Sequence, residues 1–138
     1  MSIEDKNVKD VYNYIAKEFD NTRYRPWSCV ENFLDKVPEK SSIGDIGCGN
    51  GKNMLYRTDC YNYGCDFSSE LVDICLEKNL NVIEGDILEI PFEDNQFDYT
   101  ICIAVIHHLS TREKRIKAIE ELKKVSSERI IDRYNPNT

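Results

Sequence analysis

The sequence predicts a three-layer α/β fold built on a parallel sheet, and three observations carry that prediction. Short apolar runs alternate with helix-period stripes along the 138 residues. A tight glycine cluster closes the first of these runs, and aspartates close the next two. Strand, helix, strand and helix in succession argue for parallel strands joined by right-handed crossovers.

The elements follow in order. Val8, Val11, Tyr12, Ile15 and Phe19 form one apolar stripe, which predicts an N-terminal helix. A loop holds Arg25 and Pro26, and residues near Cys29 to Val37 read as a helix that stops before Pro38. Ser41 to Gly47 is a short strand ending in glycines, and Asn62 to Phe67 is the second strand. Ser69 to Asn79 is helical, with Ser68 as its N-cap and Asn79 as its C-terminal residue. Asn81 to Asp86 is the third strand. Phe97 to Val105 is the fourth, and its apolar run suits burial on both faces. Ser110 and Glu113 have capping-box spacing. They open a helix with Ile116, Ile119, Leu122 and Val125 as its expected apolar stripe. Arg129 to Tyr134 is the fifth strand. The whole chain, 1–138, reads as one domain.

Composition narrows the class. Hydrophobic residues make up 41% and charged residues 31%, ordinary values for a globular chain. No run approaches the ~20 apolar residues of a membrane span. The N-terminal MSIEDKNVKD lacks the basic and apolar regions of a secretory signal. Six cysteines, at 29, 48, 60, 65, 75 and 102, show no metal-binding spacing. Reduced thiols, no metal site and a cytoplasmic location, with the nucleus as second compartment, are therefore expected. The net charge of −7 disfavours unaided nucleic-acid binding. Lys114, Arg115, Lys117, Lys123, Lys124, Arg129 and Arg133 crowd the C-terminal quarter, where the solvated face of a helix explains them most simply.

Chemistry concentrates at one end of the expected sheet, where open parallel sheets bind ligands. Asp45-Ile-Gly47-Cys48-Gly49-Asn50-Gly51 has the spacing D-x-G-x-G-x-G. The dinucleotide fingerprint G-x-G-x-x-G fails because Lys52 stands where its third glycine belongs. The phosphate-loop pattern fails because Ile46 replaces its first glycine and Asn53 its hydroxyl residue. What remains is a loop around the methionine part of S-adenosylmethionine, with a plain strand-to-helix turn as the alternative. Asp66 ends the second strand, where a carboxylate can accept ribose hydroxyls. Asp86 ends the third, placed to meet an adenine amine. This cradle specifies a cofactor and is silent about the acceptor, so small-molecule, protein and RNA acceptors stay open, as does a non-catalytic cofactor-binding module.

These motifs resemble the class I, Rossmann-like S-adenosylmethionine-dependent methyltransferases, through Asp45 to Gly51, Gly64-Cys-Asp66-Phe67-Ser68, Gly85-Asp86-Ile87, and Pro91-Phe92 before Phe97-Asp98. A narrower set is similar to the eukaryotic tRNA wobble-uridine carboxymethyl methyltransferases, which convert 5-carboxymethyluridine to its methyl ester. It comprises Tyr14-Ile-Ala, Thr22-Arg23-Tyr24 with Trp27, the glycine loop with Lys52, and Ile103-Ala104-Val-Ile-His107-His108-Leu-Ser-Thr111. That resemblance runs from about Val11 to Val125. It implies cofactor contacts at Asp45, Gly47, Cys48, Gly49, Asn50, Gly51, Asp66, Phe67, Asp86, Ile87 and Ala104. An acceptor carboxylate needs donors or cations to hold it, a task that Arg23, His107 and His108 suit, and the Arg23 fork equally suits the carboxylate of the cofactor's methionine part. Adjacent histidines on an extended segment point to opposite faces, so at most one of the two is expected at the site. Tyr24 and Trp27 are candidates for base stacking or for core packing. The resemblance also implies tRNA as substrate and a small zinc-binding activator protein paired along the edge of strand three, in a sheet ordered 3-2-1-4-5. Class I domains carry seven strands, so the C-terminal strands are expected to be missing, and the domain to be C-terminally truncated.

Overall fold

The computed structural model describes residues 25–133, and it builds one five-stranded parallel sheet. The expected N-terminal helix, Arg23 and Tyr24 lie outside the described residues. In chain order the elements are α1 (Ser28–Asp35), β1 (Ser42–Ile46), a 3-10 turn (Lys52–Leu55), β2 (Tyr61–Asp66), α2 (Ser69–Glu77), β3 (Asn81–Glu84), β4 (Phe97–Ile103), a second 3-10 turn (Ile106–His108), α3 (Arg112–Val125) and β5 (Ser126–Arg133). The spatial order is β3-β2-β1-β4-β5, as expected. β1 lies at the centre of the site end, pairing Asp45 with Gly64 on β2 and with Ile101 on β4.

Helices cover both faces. Val30 and Leu34 of α1 bury against Ile43 of β1 and Ile101 of β4. Val72 and Cys75 of α2 pack with Cys48, Met54 and Val82. On the opposite face Ala118, Leu122 and Val125 of α3 meet Ile46, Cys65, Phe97 and Cys102. Among the described residues no helix is long and apolar enough to cross a membrane.

Local chemistry explains the helix ends. Ser68 caps α2 as expected, its hydroxyl accepting from Leu71 N at 3.3 Å. Asn79 stops the helix by entering the left-handed region at φ 61°, a conformation that asparagine tolerates.

Two expectations for α3 are corrected. Thr111 is the N-cap, not Ser110, and its Oγ1 accepts from Lys114 N at 3.2 Å. The side-chain half of a Ser110–Glu113 capping box is thus displaced by one residue. The buried stripe is Ala118, Glu121, Leu122 and Val125, while Ile116 and Ile119 are 44% and 41% exposed. A strict three-residue spacing cannot hold one face. At about 100° per residue, Ile116 and Val125 sit about half a turn apart. The capping assignment is testable by urea denaturation. Thr111→Ala should cost about 1 kcal/mol.

Four strands end earlier than expected. β1 closes at Ile46, β2 at Asp66, β3 at Glu84 and β4 at Ile103, each followed by a turn that carries a residue of interest. β5 starts sooner, directly at the end of α3, with Ser126 Oγ bonded to Leu122 O at 2.6 Å.

Candidate functional site

The loop after β1 is shaped by three glycines in the left-handed region, Gly47 (φ 78°), Gly49 (φ 57°) and Gly51 (φ 84°). Side-chain-bearing residues rarely adopt these angles. At Gly47 a Cβ would also collide with Val105 Cγ2. Between the glycines, Cys48 and Asn50 turn inward and are buried, while Gly47 and Gly49 stay half-buried. The loop therefore shows bare backbone to the crevice at the carboxyl ends of the strands.

Several bonds fix this loop. Gly47 N and Cys48 N both donate to Cys65 O, at 2.8 and 3.0 Å. Asn50 Oδ1 accepts from Lys52 N at 3.1 Å. Lys78 Nζ donates to Asn50 O at 2.9 Å, and Cys75 Sγ to Gly49 O at 3.2 Å. Lys78 and Cys75 escaped the sequence reading because nothing in a helix pattern marks a residue that reaches a loop 28 positions away.

Asp66 sits at the end of β2, 6% exposed. Its Oδ2 accepts from Gly49 N at 2.9 Å and its Oδ1 from Ser68 N at 2.9 Å. Burial raises its pKa, and those two amides act in the opposite direction. Asp66 thus ties the glycine loop to the end of β2. Phe67 follows, half-buried. Asp86 lies in the turn after β3, half-buried, with Oδ1 accepting from Leu88 N at 2.9 Å. Ile87 packs its side chain into the core beside Ile90 and Phe97, so only its backbone can serve a ligand. Ala104 ends β4 in the left-handed region, φ 62°, a strained position for a residue with a Cβ.

Asp45 differs from every other acid here. It is 1% exposed, and neither carboxylate oxygen has a hydrogen-bond partner. Burial, with nearby Asp66, pushes its pKa to about 8, and Lys52 opposes the shift. In an unfolded chain the same group titrates near 3.8. Between those two values the folded protein holds the extra proton, so this contribution to stability is present below about pH 4 and is lost as pH rises towards 8. The expected slope is up to about 1.4 kcal/mol per pH unit. Thermal denaturation from pH 5 to 8 should show stability falling more steeply for the wild type than for Asp45→Asn.

The histidines depart from expectation. The segment after Ala104 is a 3-10 turn, not extended chain, so His107 and His108 are both exposed with ring centroids 4.0 Å apart. They do not point to opposite faces. Burial and the neighbouring His107 lower the pKa of His108, which favours its neutral form. Trp27 packs into the α1 cluster with Lys52 Nζ 5.6 Å above its ring, which is the packing alternative. Among the basic residues of α3, Lys117 and Lys124 are engaged with buried Glu121 at 3.4 and 3.2 Å. Glu121 Oε1 also accepts from Ile90 N at 2.8 Å. This acid, missed at the sequence level, joins α3 to the connection before β4.

All six cysteines are free thiols, and no cluster among the described residues has the make-up of a metal site. The residues fit a cationic nucleoside ligand on three counts: a side-chain-free backbone surface at Gly47 and Gly49, an acid at the end of β2 in Asp66, and orphaned buried oxygens at Asp45. A separate shallow cavity of about 620 Å³, lined by Ile90, Pro91, Phe92, Glu93 and Gln96, lies between the end of β3 and the start of β4.

Comparison with known proteins agrees with this geometry. Residues 44–128 match the family described as Methyltransferase domain. The tRNA (carboxymethyluridine(34)-5-O)-methyltransferase ALKBH8 of Mus musculus is 44% identical over 88% of this chain, which amounts to 18% of its own length. The tRNA (carboxymethyluridine(34)-5-O)-methyltransferase of Arabidopsis thaliana is 45% identical over 89% of this chain and 30% of its own length. The chain therefore spans less than a third of these two relatives. Among solved structures, the [4+2]-cyclase SpnF aligns with a TM-score of 0.72 at 17% identity, covering 87% of this chain and 56% of that one. The complex of the Haloferax volcanii Trm112 methyltransferase activator with a methyltransferase aligns with a TM-score of 0.68 at 21% identity, covering 91% and 56%. At these identities the structural likenesses establish the fold alone.

Proposed function

The chain belongs to the methyltransferase domain family, whose cofactor is S-adenosylmethionine, and from that premise we propose that it is the catalytic core of a tRNA wobble-uridine enzyme that methylates the carboxylate of 5-carboxymethyluridine. One observation carries the reading above others: identity of 44–45% over nearly nine-tenths of the chain to animal and plant enzymes of that name.

The roles follow from the geometry. The bare backbone at Gly47, Gly49 and Gly51, with Cys48 and Asn50 anchoring it from within, would receive the methionine part. Asp66 would take the ribose hydroxyls, Asp86 the adenine amine, and Phe67, the Ile87 backbone and Ala104 would border the ring. When bound, the cofactor supplies a methyl group activated by an adjacent sulfonium. An acceptor carboxylic acid, with a pKa of about 4, is already ionised at neutral pH and needs no general base. The chain's work is then to orient the acceptor and exclude water. His107 and His108 share one side of a turn that begins just past β4, close to the strand ends, and can donate N–H groups to a carboxylate. Arg23 supplies a fork of matching geometry. His107→Ala is expected to lower kcat by about tenfold or more while leaving cofactor affinity nearly unchanged, as read by steady-state kinetics and calorimetry. The opposite split would move His107 to the cofactor.

A partner fits the same reading. β3 borders the sheet, pairing with β2 on one side only, and Ile83 on it is 45% exposed. An edge of this kind accepts an added strand. We place the small zinc-binding activator there, and with it a share of the tRNA contacts that a chain of charge −7 disfavours.

Transfer of labelled methyl groups to tRNA bearing carboxymethyluridine, with and without a Trm112-type activator, tests the function. A labelled methyl ester, released by mild alkali, is expected. Transfer only to acceptors other than RNA would overturn the acceptor assignment.

A further inference from the structure

Resting on the cofactor reading above, we propose that Asp45 is a proton-coupled counter-group: it is neutral in the free protein and gives up its proton when S-adenosylmethionine occupies the crevice. Asp45 lies in the middle of the sheet, 1% exposed, with both oxygens unbonded. An ionised carboxylate in that position would lack both water and donors, so the protonated form wins.

The surroundings separate it from its neighbour. β2 presents Gly64 beside Asp45, then Cys65 and Asp66. β4 presents Ile101 and Cys102, with Asp132 of β5 registered to Cys102. The loop contributes Cys48, whose thiol is pushed up by its hydrogen bond with Cys75 and then by burial, while burial pushes up Cys65 and Cys102, so all three stay neutral. The cation acting on Asp45 is Lys52, and its ammonium lies over the Trp27 ring. Asp66, by contrast, receives the backbone amides of Gly49, Phe67 and Ser68. Two buried acids next to each other thus divide their roles, one hydrogen-bonded and charged, the other orphaned and protonated.

A ligand that brings fixed positive charge into the same crevice favours the ionised form of Asp45. The O–H bond of its carboxyl breaks, the electron pair stays on the oxygen, and the proton passes to solvent buffer. By linkage, cofactor affinity must then rise with pH. Asp45 would then sense the ligand's charge. S-adenosylhomocysteine, a thioether without the sulfonium charge, would release less.

Isothermal calorimetry of the intact chain, titrated with S-adenosylmethionine in buffers of different ionisation enthalpy, reads the proton count directly. At pH 7 the wild type should release roughly half to one proton per site, and affinity should climb by up to about tenfold per pH unit between 6 and 8. Asp45→Asn should remove most of that release, and S-adenosylhomocysteine should give a smaller count than S-adenosylmethionine in the wild type. Binding with no proton released, or equal release from the Asp45→Asn variant and the wild type, would overturn the role of Asp45 and leave the cofactor reading standing. No binding of either ligand by the folded protein would overturn both. If Asp45→Asn does not fold, the two ligands compared on the wild type decide alone: both carry the same α-amino group, so equal proton release with S-adenosylmethionine and S-adenosylhomocysteine refutes the proposal.

Discussion

Replacing Asp66 with alanine is expected to weaken S-adenosylmethionine binding by about a hundredfold or more, the largest functional effect of any single change in this domain. Two losses combine. The ribose hydroxyls lose a charged acceptor, and hydrogen bonds to charged groups are worth about 1.5–3 kcal/mol each, with about 1.4 kcal/mol corresponding to tenfold in affinity. The glycine loop also loses its tether, since Gly49 N and Ser68 N both donate to this side chain. Buried amides left without a partner cost about 1–3 kcal/mol each, so the apo domain should melt at a lower temperature as well. Asp66→Asn separates the two contributions. It keeps one amide acceptor and most of the loop geometry but removes the charge, so its melting temperature should lie closer to the wild type than its affinity does. Calorimetry beside thermal denaturation reads both. Equal affinities for Asp66→Ala and the wild type would remove Asp66 from the site.

Phe97→Ala should have the largest effect on the fold, about 3–5 kcal/mol by the usual cost of emptying an aromatic site. That is a large fraction of the roughly 5–15 kcal/mol that stabilises a domain. Phe97 is fully buried at the start of β4, with Phe92 edge-on at 4.9 Å and Tyr63 at 6.0 Å. Its ring fills the space left by Gly44, where a Cβ would fall inside van der Waals contact with the ring. The two positions are therefore coupled. Gly44→Ala should destabilise the wild type clearly but cost much less in a Phe97→Ala background, a non-additivity that a double-mutant cycle in urea reads directly. Additive effects would show that the ring and the glycine are not complementary.

The same pair shows what the sequence could and could not reveal. Strand order was legible because parallel strands follow from alternation and connection rules. The Asp45 to Gly51 spacing announced a loop that only glycine can build. Gly44, one residue before that motif, carries no signal of its own, since its partner Phe97 lies on a different strand and the contact depends on register. For α3, three-residue spacing suggested a stripe that the helix does not keep, and Ser110 and Thr111 offered two hydroxyls for one cap. His107 and His108 were misplaced because an apolar run before them reads as a strand. Ala104, in the left-handed region, instead ends β4 and turns the chain into a 3-10 turn. The orphaned state of Asp45 was beyond the sequence altogether, because burial without a donor is a property of three neighbouring strands.

The central claim is that a sulfonium nucleoside seats where the parallel strands end, on the Gly47 to Gly51 backbone and between the acids of β1 and β2. Amide chemical-shift mapping of the isotopically labelled domain during titration with S-adenosylmethionine tests it most directly. The account predicts the largest shifts at Gly47, Gly49, Gly51, Phe67, Ile87 and Ala104. Shifts confined to the cavity lined by Ile90, Phe92 and Gln96, or no shifts from a folded chain, would contradict it.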